Sequence, residues 1–107
     1  MTPRDVKPPQ AATLRRYGIT QADWLDLFSG QGHRCPVCHK SGTTVRWATD
    51  HDHVPGWKAK PPAERARYVR GVLCSYCNHR RVNSRMTAEE ARRIADYLQA
   101  YEERRDG

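Results

Sequence analysis

The chain has 107 residues, of which 29% are charged, and its formal net charge is +7 with a sequence pI of 9.6. This basic balance favours a polyanionic partner, and no basic amphipathic helix is evident that would favour a membrane surface. No apolar run approaches the length of a membrane span, and the first residues lack the apolar core of a signal peptide. The sequence therefore predicts a cytoplasmic protein of about one small domain.

The first thirty residues predict an arm followed by two helices. Residues 1–13 are rich in proline and basic side chains, and we expect a flexible arm there. A short helix over residues 11–17 should end at Gly18 in the left-handed conformation. Thr20 suits the N-cap of the next helix, with Asp23 reaching back to it. The apolar positions of that helix predict a buried stripe of Trp24, Leu25, Leu27 and Phe28.

The four cysteines occur as two Cys-x-x-Cys pairs. The first pair is Cys35 and Cys38, and the second is Cys74 and Cys77. Because cytosolic thiols stay reduced, the pairs favour a metal site, with two disulfides in a secreted domain as the alternative. Four thiolates bind Zn²⁺ tetrahedrally and leave no open position for water, so the sequence predicts a structural zinc. Redox chemistry at one Cys-x-x-Cys pair competes with this interpretation, but the presence of two pairs favours metal.

Between the two cysteine pairs lies the run Asp50-His51-Asp52-His53. Residues 45–51 alternate in a pattern typical of a strand, so Asp50 and Asp52 should face one side and His51 and His53 the other. A carboxylate suits Mg²⁺, and an imidazole titrates near neutral pH and can act as a general base. An isolated run of this kind is more often a solvated polar turn. Its position between two metal-binding pairs in a basic domain favours catalysis.

The second half of the chain predicts a loop, a strand and two helices. Residues 54–66 contain three prolines and should form a loop, in which Trp57 could stack on a base but more commonly would cover the core. Residues 68–73 then predict the second strand of a hairpin, and a helix should follow as far as about Arg85. Thr87 and Glu90 predict a capping box for the last helix. Its narrow apolar face could pack on the domain or on a second copy, and consists of Ala91, Ile94, Ala95, Leu98 and Tyr101.

Taken together, the first cysteine pair, the run at residues 50–53 and the stretch RGVLCSYCN at residues 70–78 resemble the recombination endonuclease VII group of HNH nucleases. The resemblance covers about residues 14–85. It implies an α+β fold, with a zinc-stapled ββα-metal (His-Me finger) core and flanking helices. On this basis the chain divides into the arm at 1–13, a nuclease domain at 14–86 and a C-terminal helix at 87–107 for packing or dimerisation.

The resemblance also implies a catalytic mechanism, in which Mg²⁺ or Mn²⁺ is held by Asp50 and Asn78 while His51 deprotonates the attacking water. His53 would lie near the scissile phosphate. The implied product ends are a 5′-phosphate and a 3′-hydroxyl. The implied setting is a phage-encoded enzyme in a bacterial host that cuts DNA, including branched DNA such as a Holliday junction, with a homodimer as one expected state.

The chain also departs from the family pattern. Many HNH nucleases carry a further histidine ligand a few residues after the asparagine, whereas here the next turn of the helix has none. After the helix that begins at the second cysteine pair, only one more helix is expected, over residues 87–105. Endonuclease VII proper has a further C-terminal domain used in dimer and junction recognition, so junction specificity stays open. Two alternatives in function also stay open. One is a non-catalytic zinc-finger module that binds DNA, and the other is a non-specific HNH nicking nuclease.

Basic side chains near the proposed site are expected to contact DNA phosphates without regard to sequence. They are Lys58, Lys60, Arg65, Arg67, Arg70, Arg80, Arg81 and Arg85. A zinc module that binds a protein partner is a third alternative, and it would show little affinity for DNA.

Overall fold

The structure is a computed structural model, and it describes residues 6–79 and 87–106. Within these ranges, five α-helices lie around one small sheet of two strands. In chain order, the elements of the described residues are α1 (Ala11–Arg15), α2 (Gln21–Gly30), β1 (Trp47–His51), α3 (Pro62–Arg65), β2 (Val69–Cys74), α4 (Ser75–His79) and α5 (Ala88–Asp106). The fold is therefore mixed, with helices around a two-stranded sheet, as the sequence predicts.

β1 and β2 pair antiparallel, so the predicted hairpin is confirmed. Trp47 lies opposite Cys74 at one end of the sheet, and Asp50 lies opposite Gly71 near the other end. The register shifts between Asp50 and His51, which is the local irregularity that a β-bulge introduces. The shift occurs within the Asp-His run.

The connection between the strands is more regular than predicted. It contains α3 between two 3₁₀ turns at Trp57–Ala59 and Ala66–Tyr68. The prediction of a plain loop was wrong, because Pro62 occupies the first turn of α3, where proline is tolerated. The guanidinium of Arg65 holds the connection together, since it donates to the carbonyls of Lys58, Lys60 and Arg16 at 2.8, 2.9 and 3.0 Å.

α1 ends before Gly18, whose φ of 74° confirms the predicted left-handed glycine. A side chain at this position would run into the carbonyl of Pro62, so glycine allows the end of α1 to lie close to α3. Val6 and Leu14 are both buried in the core. The described part of the predicted arm therefore packs against the domain, while residues 1–5 lie outside the described ranges.

α2 supplies the largest buried side chains of the core. Its capping box is confirmed, with Thr20 and Asp23 bonded reciprocally at the helix start. Trp24 and Phe28 are fully buried and stack with ring centroids 5.3 Å apart. The predicted stripe was wrong at Leu25, which is 39% exposed because it lies one residue, or about 100°, around the helix from Trp24.

The side chain of Gln31, just after α2, satisfies the outer edge of β2. Its Nε2 donates to the carbonyl of Val72 at 2.7 Å, and its Oε1 accepts from the Val72 amide at 2.9 Å. A side-chain amide thus takes the place of a further strand at this edge. These two bonds fix the end of α2 beside the middle of β2.

α5 is the predicted last helix, with its capping box confirmed. The hydroxyl of Thr87 accepts from the Glu90 amide at 3.0 Å, and Glu90 Oε1 accepts from the Thr87 amide at 3.2 Å. The predicted pair Glu89–Arg93 is also present, at 2.9 Å. The apolar face packs within the chain, through Ile94, Tyr97 and Tyr101. Binding of a second copy to α5 stays a prediction.

Candidate active site and metal centre

The four cysteines come together in one cluster, as the sequence predicts. Their sulfur atoms all lie within 4.8 Å of one another, and Cys38 Sγ lies 3.6 Å from Cys74 Sγ. A tetrahedral zinc with bonds of about 2.3 Å would place its sulfur ligands about 3.8 Å apart. The spacing therefore fits a structural metal such as zinc. It is far too long for a disulfide bond, and all four cysteines are free thiols.

The ionisation of these thiols also indicates a cation. Burial raises the pKa of Cys38 to about 11, and it raises the pKa of Cys77 still further. The neighbouring thiols add to both shifts, because negative charges at this spacing repel one another. Burial acts to raise the pKa of Cys35 as well, but hydrogen bonds from backbone amides lower it overall. Four thiolates can coexist here when a metal ion balances their charge.

The cluster joins two distant parts of the chain. The first pair lies on a tight turn, in which the Cys35 amide donates to the Lys40 carbonyl and the His39 amide donates to the Cys35 carbonyl, each at 2.9 Å. The second pair spans the end of β2 and the first turn of α4, where the Cys77 amide donates to Cys74 Sγ at 3.4 Å. A metal bound here would tie the turn after α2 to the junction of β2 and α4.

Asp50 lies on one side of β1 and is only 8% exposed. Its Oδ2 accepts a hydrogen bond from the Tyr97 hydroxyl at 2.9 Å and lies 3.0 Å from Arg70 Nε. Burial, with the Asp50 charge adding to it, raises the pKa of Tyr97, so the phenol stays protonated and donates. Within residues 6–79 and 87–106, no hydrogen bond reaches the other oxygen, Oδ1. One oxygen of the carboxylate is therefore held by the protein.

Asp52 lies on the same side of β1. Its Oδ2 accepts hydrogen bonds from the Tyr101 hydroxyl and from Arg105 Nη1, each at 3.3 Å. We call this side, with Asp50 and Asp52, the carboxylate face. The predicted alternation along the strand is confirmed, because the two carboxylates meet α5 while the two histidines lie on the other side.

His51 and His53 form the histidine face, with ring centroids 4.4 Å apart. The indole of Trp57 stacks on His51 at 4.3 Å with an interplanar angle of 26°, and the Tyr17 ring meets His51 edge-on at 5.4 Å. Burial, followed by the charge of His53, lowers the pKa of His51. These residues line an open groove of about 540 Å³ with Lys58 at its rim. The neutral form of His51 is thus favoured at a surface that DNA could reach.

The position of Trp57 differs from the predicted cover of the core, while stacking on a DNA base stays a prediction. It is half-buried, but it covers His51 instead of the main core. The guanidinium of Arg65 also lies against its ring, 5.3 Å from the centroid. The contacts of Trp57 are therefore to the protein, and its main effect is to hold and shield His51.

Asn78 lies on α4 and is half-buried. This helix packs against both β1 and β2, so Asn78 is on an element next to the strand that carries Asp50. Within the described ranges, the four cysteines are the only group of three or more His, Cys, Asp or Glu side chains that could hold a metal. A cation near Asp50 would accordingly have few protein ligands.

The basic residues predicted to bind DNA divide into three groups. Lys58 and Arg67 are exposed, and the half-buried Lys60 lies 3.8 Å from Glu64. Arg65 and Arg70 instead use their guanidinium groups within the protein, on backbone carbonyls and on Asp50. Phosphate contact by Arg65 and Arg70 stays a prediction, for side chains whose guanidinium groups already have partners within the protein. The remaining three, which are Arg80, Arg81 and Arg85, lie outside the described residues.

Sequence reasoning missed Tyr97 as a partner of Asp50. The signal that could have identified it is local, since Tyr97 lies three residues after Ile94 and four before Tyr101, on the apolar face of α5. Nothing in the sequence pairs it with Asp50, because the two residues belong to elements far apart in the chain.

Comparison with known proteins agrees with this geometry. Residues 10–100 match the family model of recombination endonuclease VII. The chain belongs to this family. The description of the family names an endonuclease. The matched residues include both cysteine pairs, the Asp-His run and most of α5.

Two relatives of the chain come from mycobacteriophages. The Gene 59 protein of Mycobacterium phage D29 is 34% identical over 87 residues, and the Gene 59 protein of Mycobacterium phage L5 is 33% identical over 87 residues. In each case the aligned region is 79% of this chain and 46% of the relative. The chain therefore spans about half the length of these curated relatives. No solved structure matches the chain.

Among residues 6–79 and 87–106, no helix is both long enough and apolar enough to cross a bilayer.

Proposed function

We propose that the protein is a metal-dependent DNA endonuclease, in which β1 carries a metal ligand on one face and the general base on the other. The observation that carries this proposal is the separation of Asp50 and His51 onto opposite faces of one strand, each in a distinct environment. Membership of the recombination endonuclease VII family supports the same activity. The core is proposed to be a zinc-stapled ββα-metal (His-Me finger) core, formed by the hairpin, α4 and the cysteine cluster.

The proposed general base is His51. A base has to be neutral to accept a proton from water, and burial of the ring lowers its pKa and so favours the neutral form. The stacked indole of Trp57 fixes the plane of the imidazole. His51 is thereby held in one orientation at the edge of the groove, and the proton it takes leaves a hydroxide to attack phosphorus.

The proposed ligands of Mg²⁺ or Mn²⁺ are Asp50 and Asn78. A carboxylate and an amide oxygen are the hard ligands that these cations prefer, and Oδ1 of Asp50 carries no hydrogen bond from the described residues. When bound, the cation neutralises charge on the phosphate and on the leaving oxygen. The carboxylate is held in place by the protein groups around its Oδ2.

The substrate side of the proposal depends on charge. His53 and Lys58 line the groove beside His51, and we propose that they contact the scissile phosphate and its neighbours. Exposed Arg67 and half-buried Lys60 would extend this contact, as would Arg80, Arg81 and Arg85. Branched DNA is the proposed preferred substrate, with a homodimer as the working form. The mycobacteriophage relatives support a phage-encoded enzyme that acts in the host cytoplasm.

The test is cleavage of an end-labelled four-way junction and a matched linear duplex in Mg²⁺, by the zinc-loaded wild type and by His51→Ala. Cutting of the junction alone by the wild type would support a junction resolvase. Equal cutting of both substrates would support a general HNH nuclease. If neither is cut while both are bound, the protein is a zinc-containing DNA-binding module and the nuclease proposal fails.

A further inference from the structure

We infer that the C-terminal helix is part of the active site, and that Tyr97 and Arg70 are positioning residues for the cation ligand Asp50. The inference rests on the proposed function, because it concerns the same cation. It changes the expected role of α5, which on sequence grounds is either a packing helix or a dimer contact.

The first argument is the way in which the carboxylate of Asp50 is held. The Tyr97 hydroxyl and Arg70 Nε both approach the same oxygen, Oδ2, at 2.9 and 3.0 Å. The Tyr97 hydrogen bond fixes the rotation of the carboxylate and leaves Oδ1 as the oxygen available to a cation. Arg70 adds positive charge beside Oδ2, although its buried Nε has no hydrogen-bond partner among the described residues. Asp50 is 8% exposed, so few water molecules compete with these contacts.

The second argument is that Arg70 joins the two faces of β1. While its Nε lies beside Asp50, its Nη2 donates to the backbone carbonyl of His51 at 3.1 Å. The proposed ligand and the proposed base are therefore held by one guanidinium. Arg104, also on α5, donates to the Arg70 carbonyl at 3.3 Å, which ties the strand that carries Arg70 to the same helix.

The third argument is the room that the sheet leaves for Tyr97. Gly71 lies directly opposite Asp50 in the ladder. A Cβ at this position would lie 3.0 Å from Tyr97 Cε1, 3.1 Å from the Tyr97 hydroxyl and 2.6 Å from Gln31 Oε1. The phenol can reach Asp50 only because residue 71 has no side chain. The contact between Tyr97 and Asp50 therefore depends on a glycine of β2.

The geometry of α5 also provides an internal control. Tyr97 and Tyr101 are four residues apart, a rise of about 6 Å along a helix, which is close to the two-residue repeat of about 6.6 Å on a strand. Tyr97 accordingly meets Asp50, and Tyr101 meets Asp52. Each hydroxyl donates to one carboxylate, but only Asp50 is a proposed metal ligand.

Hydrogen bonds to a ligating carboxylate orient it for the metal, and their loss typically weakens metal affinity by about 10- to 100-fold. We expect Tyr97→Phe to weaken binding of Mn²⁺ by about 10-fold. Tyr101→Phe removes an equivalent hydroxyl from the same helix face and should change Mn²⁺ affinity by less than about 2-fold, since Asp52 is not a proposed ligand. Phenylalanine keeps the buried ring in both variants.

The experiment is calorimetric titration of Mn²⁺ into the zinc-loaded full chain of the wild type and both variants, with zinc content and melting temperature recorded. A weaker affinity in Tyr97→Phe alone, with cleavage recovered at high Mn²⁺, supports the inference. Equal affinities in both variants overturn it, and a tighter affinity in Tyr97→Phe overturns it in favour of a helix that blocks the site. If Tyr97→Phe loses its melting transition, Arg70→Lys takes its place with the same expected 10-fold loss.

This design separates the inference from the proposed function. A wild type that neither binds Mn²⁺ nor cuts DNA contradicts the proposed function itself. A wild type that does both, together with an unchanged Tyr97→Phe, contradicts only the positioning role of α5.

Discussion

The two faces of β1 hold their side chains by different kinds of contact. On the carboxylate face, Asp50 and Asp52 are fixed by hydroxyl and guanidinium groups from α5 and β2. On the histidine face, His51 is fixed by ring contacts with Trp57 and Tyr17. Because strand residues alternate, neighbours in sequence occupy separate environments. A single strand can thus present a carboxylate and an imidazole in separate environments only one residue apart.

The two faces also differ in their access to solvent. The carboxylate of Asp50 is almost buried beneath α5, whereas His51 and His53 line an open groove. The carboxylates of the first face have named partners, and Arg16 and Lys58 line the groove of the second face. Metal binding and DNA contact are therefore expected to respond to different substitutions.

The largest predicted effect is unfolding of the domain, which would disrupt the carboxylate face and the histidine face together. Cys77→Ala should lose zinc and unfold the domain, since the cysteine cluster joins the sheet to the turn after α2 and structural zinc sites contribute about 10 kcal/mol or more to folding. Zinc content and the circular dichroism melting curve would measure this loss. Thr44 is an exposed residue that lies between the two cysteine pairs in the sequence, so Thr44→Ala should leave the zinc content and the melting curve unchanged. A zinc-free Cys77→Ala with native melting would contradict the structural role of the cluster.

The next largest effect is loss of cleavage by a change on the histidine face alone. His51→Ala should lower the cleavage rate by about 10²- to 10⁴-fold, the range for loss of a general base, while zinc content and DNA binding remain. Single-turnover cleavage and a binding titration would measure the two properties. His79 is an exposed residue of α4, so His79→Ala is the matched histidine control and should retain the wild-type cleavage rate. Full activity in His51→Ala would remove this residue from the mechanism.

A smaller effect is expected where α5 meets the sheet. Gly71→Ala should lower the free energy of unfolding by about 1–3 kcal/mol, because its Cβ would press on Gln31 and Tyr97. Urea unfolding of the zinc-loaded protein would measure the change. Gly30→Ala is the control, since a Cβ there meets nothing within 4 Å and alanine favours a helix. Equal stabilities of the two variants would contradict the close approach of Tyr97 to the sheet.

The smallest effect concerns pH. Cleavage requires neutral His51, so the rate should fall as the pH falls through its pKa. Because burial and His53 lower that pKa, the acid limb should lie below about 6.5, where an unperturbed histidine titrates. Trp57→Ala exposes the ring and should move the limb towards higher pH. The pH profile of kcat/KM would measure both, and an unmoved limb in Trp57→Ala would contradict the shielding role of Trp57.

Features that depend on local patterns were predictable from the sequence. The capping boxes at Thr20 and Thr87, the left-handed Gly18 and the alternation along β1 each depend on residues a few positions apart. The cysteine cluster was also predictable, since two Cys-x-x-Cys pairs have few structural uses in a reduced protein.

The remaining features depend on contacts between distant elements. Tyr97 meets Asp50 from 47 positions away, and Gln31 meets Val72 from 41 positions away. The internal partners of Arg65 and Arg70 could not be predicted for the same reason, since they belong to other parts of the chain. Composition assigns positive charge to a segment, but only the packing of elements determines which charges are already paired.

The central claim is that β1 separates the cation ligand from the general base. Titration of Mn²⁺ into zinc-loaded Asp50→Asn and His51→Ala, alongside cleavage of DNA by the same samples, tests it most directly. The account predicts that both variants lose cleavage, that Asp50→Asn also loses Mn²⁺ binding, and that His51→Ala binds Mn²⁺ as the wild type does. Loss of Mn²⁺ binding in His51→Ala, or its retention in Asp50→Asn, would contradict the separation of the two faces.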